Sequence, residues 1–402
     1  MNLNEVRQQE VIELCKNLVK IPSLSGQEKE VAAYIEMFAK DNGFDESNID
    51  SLGNVTLVMN GKEEGPVIVM DGHIDTVPVI EANWTVDPYS GLEKDGKIYG
   101  RGSTDMKGAV ASMILAAKYF AEDTDKNFKG KIVVSCSVHE ECFEGVATRE
   151  VSAQYKPDYV VIGEATNLKL NNGQRGRAEV VVETFGKSAH SSNPDAGINA
   201  VNKMVKLIQA INELEVNTHP ILGKGILELT DIVSSPYPGA SVVPSNARVT
   251  FDRRLLVNET KESVLAPIQD IINRLKQEDE QFDAAVYYSS GKELCYTGAT
   301  IEAERFFPAW LYDEEEEFVS QTLKNLQGIL PETTLSHYSF CTNGSHFAGE
   351  AGIPTIGFGP SFEHLAHIDD EYIEKDQLLK ATAGYISILN TLSNLKGGKV
   401  HV

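Results

Sequence analysis

Apolar positions follow two rhythms along this chain, and the change from one to the other divides it. Residues 5–20 carry apolar side chains at helical spacing and stop at Pro22. Ser25 and Glu28 read as an S-x-x-E capping box for a second helix with Val31, Tyr34, Ile35 and Phe38 on one face. Asp50–Met59, with a turn at Gly53-Asn54, reads as a strand, as does the apolar run after Pro66 that ends at Asp71. A polar loop rich in Gly, Asp and Pro then leads to Asp105. A helix is predicted to start there, with Val110, Met113, Ile114 and Ala117 facing inward. Strands at Lys131–Val138 and Tyr159–Gly163 enclose a helix near 144–155. Strands alternating with helices predict an α/β fold, a mostly parallel sheet with helices on both faces.

From about residue 178 the order becomes β-α-β-β-α-β. The segments are Glu179–Phe185, Ile198–Leu214, Gly225–Val233, Ala247–Leu255, Lys261–Lys276 and Phe282–Tyr288. That is the ferredoxin-like split motif, a complete small α+β domain. The α/β pattern resumes with a helix near 315–328, a strand Thr355–Phe358 and a last helix at 376–394. The expected organisation is a discontinuous catalytic domain, residues 1–177 and 294–402, interrupted by an inserted lid or dimerisation domain at 178–293.

Composition narrows the partners. The 402 residues are 42% hydrophobic and carry a formal net charge of -23. Such acidity argues against nucleic acid and against anionic membrane, which both need basic patches. No apolar run approaches the roughly 18 residues that span a bilayer. The amino terminus has no basic stretch ahead of an apolar core, and the five cysteines are scattered. Both features suit a cytoplasmic protein.

The chemistry gathers where strands end. His73 and Asp75 follow the strand that ends at Asp71, two apart and so on one side of an extended chain. A His-x-Asp pair alone is usually a surface turn. Asp105 opens a helix and by itself reads as a cap. But Glu140-Glu141 follow the strand ending at Val138, Glu164 follows the next, and Glu363–Glu371, with His364 and His367, follow Thr355–Phe358. In open α/β sheets, sites form outside the carboxyl ends of strands. So many carboxylates in one mouth would repel unless cations lay among them. Two histidines, two terminal carboxylates and one bridging carboxylate suit a pair of divalent ions. Zinc is favoured, with manganese or cobalt as alternatives.

The segments GHIDTVP, GRGSTDMKG, HEEC, GEAT and AHIDDE resemble, in order, the metal-site segments of the dizinc peptidase and deacylase family. Its members include acetylornithine deacetylase, succinyl-diaminopimelate desuccinylase, aminoacylase and glutamate carboxypeptidases. GQRGRAEV, FDRRL and FCTNGSHFAGEAGIPTIGFGP are most similar to its YgeY-type branch, linked to selenium-dependent metabolism. The resemblance implies that His73 and His367 each bind one ion, that Asp105 bridges them, and that Glu141 and Glu164 complete one ion each. It makes Glu140 the general base and Asp75 the residue that orients His73. Adjacent side chains point apart, which suits a split between Glu140 and Glu141. It further implies an oxyanion contact from His190, in cis or from a partner subunit, and substrate-carboxylate contacts from Asn246 and Arg254. Arg175 and Arg177 either bind an anion or pair with surface acids. His139, His364 and Asn343 depart from the family pattern; Ala366-His367-x-x-Asp370-Glu371 fits it better than a ligand at His364. The function implied is hydrolysis of an amide in a small carboxylate-bearing substrate, of N-acyl amino acid type. A di- or tripeptidase or carboxypeptidase is the alternative, and a metal-free scaffold that keeps only the fold the third. A homodimer through the inserted domain is also implied.

Overall fold

Helices α1 (Glu5–Val19) and α2 (Lys29–Asp41) lead into strands β1 (Glu46–Ile49), β2 (Val55–Asn60) and β3 (Glu63–His73) in a computed structural model that describes residues 3–395. Helix α3 (Gly108–Asp123), strand β4 (Lys129–Ser137), helix α4 (Thr148–Tyr155), and strands β5 (Tyr159–Ile162) and β6 (Leu170–Gln174) follow. Contacts divide the chain into two units. One comprises residues 1–174, 292–303 and 310–402, the other 175–291 and 304–309.

The second unit holds β7 (Gly176–Phe185), α5 (Ala200–Ile211), β8 (Ile226–Ser235), β9 (Asn246–Leu255), α6 (Lys261–Glu278), β10 (Asp283–Tyr288) and β11 (Phe306–Phe307). Its sheet runs β8-β9-β7-β10, all antiparallel, the ferredoxin-like order. Val180, Val182, Val249, Phe251, Met204, Leu207, Ile268 and Ile272 form its core. The sequence reading left residues 304–309 with the catalytic domain. Here Phe306 and Phe307 pair with Ala178 and Arg177 of β7, and Phe307 is buried. Two adjacent aromatic residues bury better on that strand than in a connection.

The first unit is completed by β12 (Trp310–Leu311), α7 (Glu317–Gln327), β13 (Leu335–Tyr338), β14 (Thr355–Gly357) and α8 (Lys375–Leu392). Its nine-stranded sheet has the order β1-β2-β4-β3-β5-β14-β6-β12, with β13 beside β6. The α/β architecture is as expected, and its sheet is mixed, with a parallel centre. β4, β3, β5 and β14 are parallel neighbours, but β1, β2 and β12 join antiparallel, and so does β14 to β6. β13, which follows α7, also lies parallel to β6; a crossover of this kind is what parallel pairing requires.

Helix α3 has buried residues on every side, Val110, Ile114 and Ala117 among them, because α1 and α8 both cover it. It packs so closely on β3 that a Cβ at Gly72 would lie 2.7 Å from the Met106 and Met113 methyls. Glycine is what admits the helix to the strand's carboxyl end. Burial of each large aliphatic residue here contributes about 1.5–3 kcal/mol.

Candidate metal centre

Parallel register brings the site together. His73 pairs with Ser137, so β4 releases the chain just before His139, Glu140 and Glu141. Asp71 pairs with Ile162, which sets His73 and Glu164 level two residues later. All leave the same edge of the sheet.

Asp105 does not cap α3 as the sequence suggests. The helix starts at Gly108 without a side-chain cap, and Asp105 sits before it with φ -125° and ψ 94°. Released from the helix, its carboxylate lies between two histidines. Oδ1 is 2.9 Å from His73 Nε2, and Oδ2 is 3.1 Å from His367 Nε2. Glu164 Oε1 lies 3.4 Å from His73 Nε2, and Glu141 Oε2 3.1 Å from His367 Nε2. Glu140 Oε2 stands 4.0 Å from His73 Nε2, while its buried Oε1 has no hydrogen-bond partner among the described residues. Two overlapping groups, His73-Asp105-Glu141 and His73-Glu140-Glu164, could each hold a metal ion. His367 reaches this cluster from a turn in which it takes φ +62°. His364 instead packs against Phe362.

Asp75 is fully buried. His73 Nδ1 is nearer to the Asp75 main-chain oxygen (2.9 Å) than to its carboxylate (3.5 Å). The carboxylate accepts the amides of Glu140 (3.1 Å) and Glu141 (3.2 Å) and the Ser25 hydroxyl (2.7 Å). It therefore orients the Glu140-Glu141 turn at least as much as the imidazole.

Four acids and two histidines share this cluster, and burial and their mutual contacts set their protonation. Burial pushes Glu140 well above the usual carboxyl range, and Glu164, Glu141 and Glu144 push it further. Burial and Asp105 raise Glu141 to about 7; burial and Asp105 also raise Glu164. Burial alone would depress His73, but hydrogen bonds with Asp105, Asp75 and Glu164 hold it well above its ordinary value. Hydrogen bonds to Asp105 and Glu141 raise His367 to about 10. Asp105 stays low despite burial, because both histidines hydrogen-bond to it. Protons on the two imidazoles thus do what divalent cations would do better. A bound cation would return both rings to the neutral, ligating form. With oxygen and imidazole donors and an unsatisfied carboxylate oxygen, the residues fit a dinuclear centre.

The sequence singled out no role for Glu371, and the structure gives it one. Buried completely, it pairs with Arg101 (2.6 Å) and accepts the amides of Gly102, Thr104 (2.8 Å) and Asp105 (3.1 Å). It fixes the turn that presents Asp105. Asn343 is likewise structural: its Nδ2–H donates to Asp71 and Ser137, and its Oδ1 accepts the Gly145 amide.

The remaining expected contacts lie in the second unit. His190 is exposed, and its Nδ1 accepts from the amide and hydroxyl of Ser192. Asn246 donates to Glu183 (2.7 Å), and Arg254 pairs with Asp252 (2.9 Å). Arg177 pairs with Asp252 and Glu179, and Arg175 donates to the Lys224 carbonyl.

A parallel-centred α/β sheet with acids and histidines at its carboxyl edge defines a metallohydrolase. The chain belongs to the M20/M25/M40 peptidase family, whose model matches residues 69–391. It is an enzyme of that family's class, acting on C–N amide bonds. It is 33% identical over 388 residues to the uncharacterized protein YgeY of Escherichia coli K12, covering 95% of this chain and 94% of that one. It is 24% identical to the N-formyl-4-amino-5-aminomethyl-2-methylpyrimidine deformylase of Bacillus subtilis, over 94% and 93% of the two chains. Among solved structures, aminopeptidase PepT of Bacillus cereus matches with a TM-score of 0.73 at 20% identity, over 96% and 99%. The YXEP protein of Bacillus subtilis, a dinuclear metal-binding peptidase of the M20 family, matches with a TM-score of 0.70 at 14% identity, over 96% and 99%.

Proposed function

We propose that this enzyme removes an acyl group from the nitrogen of a small, carboxylate-bearing amide, with His73, Asp105 and Glu164 holding one divalent ion and His367, Asp105 and Glu141 the other. The observation that carries the reading is Asp105, whose two oxygens face two different histidines at 2.9 and 3.1 Å. Zinc is the proposed metal, since the donors mix imidazole with carboxylate oxygen. When bound, the two cations polarise the scissile carbonyl and bring the attacking water's pKa towards neutrality.

The chain's own residues handle the proton. Glu140 takes it from the attacking water on Oε1, the oxygen without a partner, and delivers it to the leaving nitrogen. Asp75 keeps that base in place through the Glu140 amide. His190 is the proposed oxyanion donor. With Nδ1 accepting from Ser192, its proton resides on Nε2, the nitrogen free to donate. Asn246 and Arg254 are proposed to meet the substrate carboxylate.

The deformylase relative supports deacylation, because that protein removes an acyl group from an amine. We also propose a homodimer and a cytoplasmic location. The edge strand β8 leaves Ile232 57% and Val233 48% exposed, which suits pairing with a second copy. The free cysteines suit a reducing compartment, and no described helix is long and apolar enough to cross a membrane.

The test is a panel of N-formyl, N-acetyl and N-succinyl amino acids with dipeptides, assayed with zinc, manganese or cobalt and after chelation. Metal-dependent release of the acyl group is expected, and Glu140→Gln should lose about a thousandfold in kcat. Cleavage of dipeptides alone would replace deacylation by peptidase activity. No cleavage with any metal, and no metal bound, would leave the scaffold reading.

A further inference from the structure

Ser25 and Glu28 form no capping box. Helix α2 has Glu28 itself at its N-cap position, without a side-chain cap, and both side chains turn inward. We propose that the segment from Ile21 to Glu28 is a bracket for the catalytic turn, with Ser25 and Glu28 as positioning residues for Asp75 and Glu140. The proposal rests on the amide-hydrolase reading above.

The segment touches three of the site's pieces. Ile21 offers its carbonyl to Lys107 Nζ (2.6 Å), two residues after Asp105. The Ser23 hydroxyl donates to the Ile74 carbonyl (2.6 Å), and the Thr76 amide donates back to the Ser23 carbonyl (2.8 Å). Ser25 Oγ–H donates to Asp75 Oδ2 (2.7 Å), the oxygen that also accepts the Glu141 amide. Glu28 Oε1 accepts the Gly26 amide (2.9 Å) and the His139 amide (3.3 Å). The consecutive amides of His139, Glu140 and Glu141 are therefore all held by carboxylates, the first by Glu28 and the next two by Asp75.

Local strain and burial show that this arrangement is held against a cost. His139 has φ +54°, a left-handed conformation that disfavours a residue with a Cβ. The hydrogen bond that its main-chain N–H donates to Glu28 is one of the contacts that offset this. Gly26 has φ +82°, and a Cβ there would come within 2.9 Å of the Leu294 carbonyl; the tight turn needs glycine. Glu28 is fully buried, and its Oε2 has no partner among the described residues. A helix cap would sit at the surface with water on that oxygen. Burying a carboxylate is costly unless it is well hydrogen-bonded, and what this one gains is a grip on the residue before Glu140.

The experiment pairs hydrogen exchange with kinetics on the full, metal-loaded chain carrying Ser25→Ala, Glu28→Ala or Glu28→Gln. Exchange by mass spectrometry is expected to quicken at least tenfold in peptides covering residues 138–142 in Glu28→Ala, with β4 unchanged. In Glu28→Gln an amide oxygen still accepts from Gly26 and His139, so protection should largely return. On the best N-acyl amino acid of the panel, kcat per metal-loaded molecule should fall tenfold or more in Ser25→Ala and Glu28→Ala. KM and metal content should stay near wild type, and Glu28→Gln should recover most of the rate. Misplacing a reacting group by about 1 Å costs on the order of a hundredfold. Unchanged exchange with unchanged kcat overturns the bracket, and faster exchange with unchanged kcat overturns its role in the reaction. Should Glu28→Ala not fold, Ser25→Ala carries both comparisons, with faster exchange expected in the same peptides because Ser25 and the Glu141 amide share Asp75 Oδ2. If wild type cleaves nothing, the functional reading fails, and exchange alone decides whether the bracket exists.

Discussion

Two groups of charged side chains, one in each unit, solve opposite problems. On the sheet of the second unit, Glu179 and Asp252 face Arg177, Arg254 and Arg305, with ion pairs of 2.8 to 3.3 Å. Each of these two acids has a guanidinium. At the edge of the first unit's sheet, Asp105, Glu140, Glu141 and Glu164 meet His73 and His367, and no lysine or arginine pairs with these four acids among the described ion pairs. The first group is complete as folded. The second, under the proposed function, is completed by cations that the chain does not supply. Clustered acids alone do not identify a metal site; what separates the two groups is whether the chain neutralises its own charge.

The strongest way to break this comparison is to remove the shared carboxylate. Asp105→Ala should bind neither ion tightly and show no activity above background, whereas a retained pair of metals would show that Asp105 is not shared. Next comes Glu140→Gln. It should keep both metals, by elemental analysis, and lose about a thousandfold in kcat, within the range for a general base. Removing a buried partner next door tests structure rather than chemistry. Glu371→Gln leaves Arg101 buried without its carboxylate and should cost about 3 kcal/mol in chemical denaturation. A loss under about 1 kcal/mol would mean that Arg101 finds another acceptor.

How much of this was legible depended on whether local or distant contacts set each residue's state. Strands β3, β4 and β5 announce themselves because apolar runs such as Ile68–Met70 are buried on both faces. β6, with the sequence LNNGQ, did not. It is wholly buried, yet Asn172 and Gln174 are polar and find their partners in Tyr312, Thr342 and Ser345, more than a hundred residues away. The same asymmetry explains Ser25, Glu28 and Asp105. Local spacing favours caps at all three. Tertiary partners outweigh that preference, since a cap contributes only about 1 kcal/mol. Glu371 ends the AHIDDE segment with no local sign of a role, because only the fold brings Arg101 to it. The antiparallel outer strands carry no such signal, because helix-strand alternation reports on crossovers and not on hairpin-type pairings.

Acidity separates the two groups further. In the metal-free protein, Glu141 titrates at about 7, and Glu140 and Glu164 also lie above the ordinary carboxyl range. The stability they contribute is present in full below the unfolded value of about 4.5 and is lost as pH rises through their folded values. The histidines act in the same direction. With His367 at about 10 in the folded state, its contribution is full below about 6.5 and lost as pH rises towards 10. Asp105, held low, keeps its charge throughout this window. The melting midpoint of chelated protein should therefore fall between about pH 5 and pH 9. The gap to zinc-loaded protein should widen over the same range, because fewer protons must be displaced. A chelated protein that grows more stable with pH would mean that the acids are already neutralised.

The smallest effect belongs to the self-sufficient group. Asp252→Asn removes the carboxylate shared by Arg177 and Arg254, at 3.0 and 2.9 Å. Both arginines are partly exposed, and Arg177 keeps Glu179 at 2.8 Å. Solvent and the remaining acid should absorb the change, so the loss is expected at about 0.5–1 kcal/mol by denaturant titration. Under the proposed function the same variant also releases Arg254 from its acid. KM for a carboxylate-bearing substrate should then stay level or fall a few-fold, while Arg254→Met should raise it. A stability loss above about 2 kcal/mol would show that this network, like the metal centre, holds its charges at a cost that one deletion exposes. The distinction between the two groups would then rest on the histidines alone.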